Sequence, residues 1–394
     1  MSRETRLPLI QRIEELRSSK VICYVTSLRV GVPAQMADDQ VRVFFEHLQR
    51  LPAKPVEKLD VFLVSNGGES LVPWRLVALF REFSSRFEVL IPYKAYSAAT
   101  LLALGADQIV MHPLGEIGPI DPTVSNEYNP KDPQTGRQMG ISVEDVKAYV
   151  GFIKNTVGIH HEDELVKTIE ILANQVHPLA LGNVERFLSQ SRMVARKILA
   201  THMDQTKEEH RIEEIIENLA SKLYFHGHPI NRKEASKDLK LDIESNLQPE
   251  LETAIWDLYK DFEDELQMTD QFNPMIALQA KKWEIIEQFR LRFREVIAAK
   301  EAARNAATDA VQMNQLAAEV ATLQQQYDVG VLPSSLTVED DVSLIHACIE
   351  SEAFASQYET KRRYSMTVAG MPAQVVFSED VQSQGWIHSQ GEAV

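Results

Sequence analysis

Apolar positions along the first quarter of the chain switch repeatedly between helical and strand spacing. Residues 3–18 carry them with the helical period, Val21-Ile-Cys-Tyr-Val-Thr-Ser27 is a continuous strand-like run, and Asp38 to Leu51 is helical again until Pro52 stops it. Val61 to Ser65 then reads as a strand, Leu71 to Phe83 as a helix and Phe87 to Pro92 as the next strand. Strands and helices alternating at this spacing, with short connections, favour parallel pairing through right-handed crossovers. An alanine-rich helical run follows Ser97, and Gln108-Ile-Val-Met111 makes a further short strand.

The pattern loosens after that. His112-Pro-Leu-Gly-Glu-Ile-Gly-Pro-Ile-Asp-Pro122 is turn-rich, and Asn126 to Gly140 is a polar loop of a kind that often lies over an active site. Ser142-Val-Glu-Asp145 sets a serine three residues before an acid, an N-cap signal for a helix to about Val157. Helical spacing returns over Leu181 to His202 and Glu208 to Leu223, and Leu241-Asp-Ile243 closes a first domain of residues 1–245. Residues 246–394 are expected to form a mostly helical C-terminal extension, an oligomerisation or partner-binding region. Its apolar stripe from Ile276 to Gln326 keeps no sustained heptad, which favours a packed helical hairpin over a long coiled coil. The last fifty residues show only short strand-like pieces, Thr367-Val-Ala and Gln374-Val-Val-Phe377, before a Ser- and Gln-rich tail expected to fray.

Length supports two domains, each able to bury a core, in 394 residues. The net charge of −16 argues against nucleic acid or an anionic membrane surface as the main partner. Cys23 and Cys348, the latter placed in a helical stretch, form no disulfide framework and no metal-type spacing. The charged N-terminus lacks a secretory signal pattern, and no apolar run approaches the roughly 18 residues of a membrane span. These features together point to a cytoplasmic protein without stable membrane insertion, metal or cofactor.

The candidate chemistry sits at two strand ends. Ser97 lies where a strand gives way to a helical run, so backbone N–H groups at the helix start are aimed near its hydroxyl. Upstream, Val61-Phe-Leu-Val-Ser-Asn-Gly-Gly68 ends a strand in paired glycines, which permit close backbone approach and offer a second oxyanion donor. Together they suggest acyl transfer. The plainer reading of Ser97 is a helix N-cap.

Three motifs, in matching order and spacing, resemble the ClpP/crotonase-fold serine peptidases, in particular the serine dehydrogenase proteinase family near signal peptide peptidase A. They are Val64-Ser-Asn-Gly-Gly-Glu69, Ala95-Tyr-Ser-Ala-Ala-Thr-Leu-Leu102 and Leu114-Gly-Glu-Ile-Gly-Pro-Ile-Asp-Pro122. The resemblance covers residues from about 15 to 245 and implies an α/β core of repeated β-β-α and βαβ units wound as a spiral. It implies a serine peptidase acting on peptide or protein substrates, assembled as a homo-oligomer. Ser97 would be the nucleophile, and Gly67, Gly68 and Ala98 would bind the oxyanion and substrate.

The general base departs from a Ser-His-Asp triad, because Ile120-Asp121 stands where the Clp-type histidine would be. A Ser-Lys pair, as in the signal peptide peptidase branch, points to Lys147, with Lys94, Lys154 and His112 as alternatives and a solvated surface lysine as the plain reading. Asp121 would orient a base or cap a turn. Ala99 replaces a usual glycine, narrowing the pocket or packing on a strand, and Asn66 replaces a usual proline. His160-His161-Glu162 and the His226/His228 pair read as surface residues rather than metal ligands. Two other functions compete: a ClpP-like scaffold or peptide-binding module that has lost its base, and, more distantly, a crotonase-like acyl-CoA enzyme using the same oxyanion geometry without a serine nucleophile.

Overall fold

The computed structural model describes residues 3–120, 123–124, 127–132, 136, 138–222, 227–329, 335–369 and 374–390. The chain forms two compact units. The first comprises Met1–Asp270, Ile345–Tyr358 and Trp386–Val394, and the second Gln271–Leu344 and Glu359–Gly385.

The first unit begins with α1 (Arg3–Arg17), β1 (Lys20–Thr26), α2 (Asp39–Leu48), β2 (Val56–Val64), α3 (Val72–Phe83) and β3 (Ser84–Ile91). The strand-helix alternation read from apolar spacing is therefore present, and β1, β2 and β3 pair in parallel as the short crossovers require. Next come β4 (Lys94–Ala95), α4 (Ala98–Ala103), β5 (Gln108–Met111) and β6 (Glu116–Ile117), with β5 parallel to β3. A small β7–β8 pair (Thr123–Val124, Ile141–Ser142) precedes α5 (Val143–Gly151), which continues as a π-helical segment over Phe152–Val157. Helices α6 (Glu162–Gln175), α7 (Pro178–Leu199) and α8 (Glu209–Glu217) follow. The unit continues through β9 (Ile230–Asn231), α9 (Arg232–Lys237), β10 (Ile243–Glu244) and α10 (Pro249–Glu265).

The parallel order in this unit is β10-β5-β3-β2-β1, and residues 347–351 then pair antiparallel with β1. Strand residues are buried on both faces, so side-chain alternation sorts them into two clusters. Tyr24, Leu63, Val89 and Met111 join a core that includes residues of α2, α3, α4, α7 and α8, whereas Cys23, Phe62, Leu90 and Val110 join residues of α1 and α10. Helix α1 is anchored by buried Arg17, which pairs with Asp60 at 2.6 Å and with Glu88.

The second unit holds α11 (Pro274–Ala306) and α12 (Ala310–Val329), which pack as a hairpin through Phe293 on Tyr327. It also holds most of β11 (Ser335–Ser351), β12 (Phe354–Ala369) and β13 (Gln374–Gln390), paired in the order β11-β12-β13.

Three features differ from expectation. Residues beyond 245 are helical only as far as Val329, and strands of 16 and 17 residues take the place of short strand-like pieces. Many positions on these strands are Ser, Gln, Asp or Glu, so the period-2 signal is weak in the sequence although the backbone is extended. Cys348 accordingly lies in β11, where it is 1% exposed, and not in a helix. The compact units also divide differently from a cut after residue 245. Leu251, Ile255, Leu258 and Phe262 of α10 fill the second core cluster of the first unit, so that helix belongs with the sheet it covers.

Candidate active site

Ser97 occupies the sharp turn between β4 and α4. Its backbone, at φ 54° and ψ −115°, lies in a region that residues with a Cβ rarely adopt. The chain on either side leaves no alternative. Ser65 N–H donates to the Lys94 carbonyl at 2.8 Å, Tyr96 N–H donates to the Ser65 carbonyl at 2.9 Å, and Ala99 N–H donates to the Tyr96 carbonyl at 2.9 Å. Thr100, fully buried, bonds the Ala95 and Gly118 carbonyls through one hydroxyl, each at 2.8 Å, which clasps α4 to the end of β6. Ser97 stands at the N-cap position but makes no side-chain capping bond, and among the described residues its hydroxyl has no hydrogen-bond partner. The capping role that would explain a serine here is therefore unfilled, and the half-buried hydroxyl stands free on a strained turn.

The paired-glycine turn lies directly against this serine. A Cβ built on Gly67, whose φ is +95°, would fall 2.6 Å from the Tyr96 carbonyl oxygen and 2.9 Å from both the Ala98 nitrogen and the Ser97 Cβ. Two strand ends some thirty residues apart in sequence thus meet. Hydroxyl groups hold the turn: Gly67 N–H donates to Ser65 Oγ at 3.0 Å, and Thr26 Oγ1 donates to the same oxygen at 2.9 Å.

On the other side, Met36 N–H donates to the Gly67 carbonyl and Glu69 N–H to the Met36 carbonyl, at 2.8 and 2.9 Å. In such a parallel bridge the central residue, Gly68, turns its own N–H and carbonyl away from Met36. Gly68 is exposed, and a Cβ there would lie 2.2 Å from the Met36 carbonyl oxygen. Close approach of the protein's own backbone thus already demands a glycine at 68.

The neighbouring departures from the family pattern resolve differently. Ala99 is fully buried in the core, so its methyl packs beneath the turn and does not line an approach to it. Ile120, where a histidine would stand, is 2% exposed in the same core. Asp121 and His226 lie outside the described residues, and Asn66 is exposed. His228 bonds Glu234 at 2.9 Å, and His160 and His161 lie at the surface before α6. Among the described residues no group of three or more His, Cys, Asp or Glu side chains is placed to hold a metal ion.

The candidate bases are dispersed. Lys147 is half-buried on α5, which packs on α7, as does α4, and no hydrogen bond joins it to Ser97. Lys94 lies with Nζ 4.9 Å from the Tyr93 ring centroid and 5.8 Å from that of Tyr96. Lys154 is exposed on the π-helical segment.

His112 follows β5 on the α10 side of the sheet. Its ring stacks on Trp256 at 5.0 Å, and its Nδ1 accepts from Leu114 N–H at 3.2 Å. Burial holds its pKa below the ordinary histidine value. Ala98 and Ala99 pack in the opposite core cluster, so the sheet separates this imidazole from Ser97.

Sequence reasoning did not single out Tyr96, whose hydroxyl donates to Glu116 Oε2 at 2.6 Å and whose ring closes over Gly118. Burial, then the Glu116 bond, pushes the Tyr96 pKa well up, so the phenol stays a donor. Nor did it find the Thr26–Ser65 pair, although Ser65 stood inside the glycine motif. A hydroxyl two residues before a tight glycine turn, in position to accept from it, was the available signal.

Comparison with known proteins places these features in context. Residues 2–132 match the model of a family described as ClpP-like SDH-type serine proteinases. Uncharacterized protein MJ0137 of Methanocaldococcus jannaschii is 24% identical over 264 residues, 65% of this chain and 78% of that protein. Uncharacterized protein MJ1495 of the same organism is 27% identical over 128 residues, 30% of this chain and 42% of its own length.

Two solved structures of alanine variants of a membrane-bound stomatin-specific protease, 1510-N, are also similar. One has 14% identity and a TM-score of 0.32 over 56% of this chain and 79% of that one. The other, in complex with a substrate peptide, has 15% identity and a TM-score of 0.31 over 54% and 70%. Likenesses of that size leave the roles of residues here to be argued from this chain alone.

Proposed function

We propose that this chain, whose residues 2–132 match the model of the ClpP-like SDH-type serine proteinase family, is a serine peptidase cleaving peptide bonds through an acyl-enzyme on Ser97. The observation that carries the reading is the strained Ser97 turn, its hydroxyl free of any cap, set against the Gly67–Gly68 turn. Strain of this kind is maintained at sites where a side chain must be presented rather than packed. Ser97 Oγ attacks the substrate carbonyl carbon, and the negative charge that develops on the carbonyl oxygen is held by the N–H groups of Gly68 and Ala98. Lys147 takes the hydroxyl proton and returns it to the leaving amine, and water then releases the acyl group.

The peptidase machinery in this reading is confined to residues 1–245, with the C-terminal residues serving assembly. Net charge of −16 and two buried free cysteines support a reducing, cytoplasmic setting with no nucleic-acid partner. Among the described residues no helix is long and apolar enough to cross a membrane.

A fluorophosphonate probe tests the nucleophile: it should label the wild type and not Ser97→Ala. Labelling in both, or in neither, removes the hydrolase reading. Lys147→Ala should reduce labelling and peptide turnover together, and full retention would assign the base elsewhere. One observation favours the alternative of a peptide-binding scaffold, namely that no base is hydrogen-bonded to Ser97 among the described residues. Catalytic hydrogen bonds often close only around substrate, so the probe experiment decides between the two.

A further inference from the structure

In the second unit, β13 is the outermost strand of its sheet among the described residues, paired there with β12 on one side only. Phe377 of β13 stacks on Tyr364 at 6.1 Å, and Tyr364 is buried in a cluster with Leu278 of α11 and with Val338 and Met366. Phe377 therefore points to the apolar side of the sheet, and the strand period places Val375, Glu379 and Val381 there with it. Glu379 is ion-paired with Arg362, which lies on the same side, so that face carries little free charge. Val376, Ser378, Asp380, Gln382 and Gln384 point the other way, and Val376 is 61% exposed. From Phe377 to Gln384 this is the alternation of a strand with one buried face. Yet Val375, Phe377 and Val381 are 57%, 40% and 46% exposed. The edge carries charge only at Glu379 and Asp380, and no proline, lysine or arginine lies between Gln374 and Gln390.

We propose that β13 is a homodimer interface, on which residues 377–385 of a second copy of this chain pair antiparallel about a two-fold axis at Val381. The occupant follows from self-complementarity. An axis normal to the sheet sets opposite each other only residues of the same face, so the allowed registers are centred on a residue. Centring on Glu379 or Asp380 would stack like charges directly, which is unfavourable. Centring on Ser378 sets Phe377 against the partner's Glu379 and Val376 against the partner's Asp380. Centring on Val381 sets Val381 against its own copy, Glu379 against the partner's Ser383, and Asp380 against the partner's Gln382. Phe377 then lies over the partner's Gly385, where the glycine leaves open space: nothing lies within 4 Å of a Cβ built there. Such an aromatic-on-glycine pair across strands stabilises an edge that a glycine would otherwise weaken. The pairing satisfies the open backbone groups of both strands and continues the apolar face from one copy into the next.

The full-length chain tests this by sedimentation velocity at micromolar concentration. The wild type should be dimeric, and Val381→Lys, which sets two ammonium groups together on the axis, should weaken the dimer at least tenfold while leaving the thermal melting of the monomer unchanged. Under mild oxidation Val381→Cys should form an interchain disulfide, and Ser378→Cys should not; the two native cysteines are buried. A monomeric wild type, a dimer that Val381→Lys leaves intact, or cross-linking through Ser378→Cys in place of Val381→Cys would each overturn the proposal.

Discussion

Replacing Ser97 by glycine should make the protein more stable while removing its reactivity. At φ 54° and ψ −115° a residue with a Cβ is held in a sparsely populated region, at a cost of about 1–3 kcal/mol. Glycine adopts that conformation without the steric penalty, but it loosens the unfolded chain, which gives back about 0.4–1 kcal/mol. The hydroxyl itself makes no hydrogen bond among the described residues, so its loss removes no folded-state contact of that kind. A net gain of up to about 2.6 kcal/mol follows from the difference of these two terms. Ser97→Ala keeps the Cβ and therefore the strain, and is the proper reference: it should lie within about 0.5 kcal/mol of the wild type. Urea unfolding of the three proteins, with equal slopes, gives the comparison, and the fluorophosphonate probe should label neither variant. A glycine variant less stable than the alanine variant would refute the strain argument, and with it the structural reason for regarding this serine as presented rather than packed.

Gly67→Ala should cost about 2–5 kcal/mol, the sum of a left-handed backbone penalty and overpacking against backbone atoms that cannot move aside. Gly136→Ala, also at positive φ but with nothing within 4 Å of the new methyl, should cost only about 1–2 kcal/mol, and equal losses in urea melts would contradict the close approach of Gly67 to Ala98. His47, sequestered in the first unit between the hydroxyls of Ser351 and Ser356, is held by burial, and then by Arg50 and Arg3, at a pKa of about 3 against an ordinary 6.5. Between those values the unfolded chain binds a proton that the folded chain refuses, so stability falls as pH drops below 6.5, by about 2 kcal/mol at pH 5. His47→Gln should flatten that part of the stability profile, and an unchanged slope would show that the imidazole does not titrate on unfolding.

Most helices and the longer parallel strands of residues 3–111 were legible in the sequence: Val61-Phe-Leu-Val64 is a short apolar run ended by turn residues, as a strand buried on both faces is, and Leu71 to Phe83 carries a helical apolar stripe on one side, whereas the two-residue strand Lys94–Ala95 left no such signal. Ser97 and the Gly67–Gly68 pair were legible as separate strand ends for the same local reason. That they touch was not, because contact between them depends on the parallel bridge of Ser65 with Ala95, a pairing thirty residues apart that no local spacing encodes.

The sorting of bases was equally hidden. His112 is near Ser97 in sequence, but strand alternation and the packing of α10 turn its ring toward Trp256 on the other side of the sheet. The C-terminal strands escaped reading because polar residues occupy much of their length. Local residue type and spacing thus decided which elements form and where a nucleophile and a glycine turn stand along the chain. Tertiary structure decided which of them meet, since side-chain direction and distance between elements are set by long-range pairing and burial, whose energies no short stretch of sequence contains.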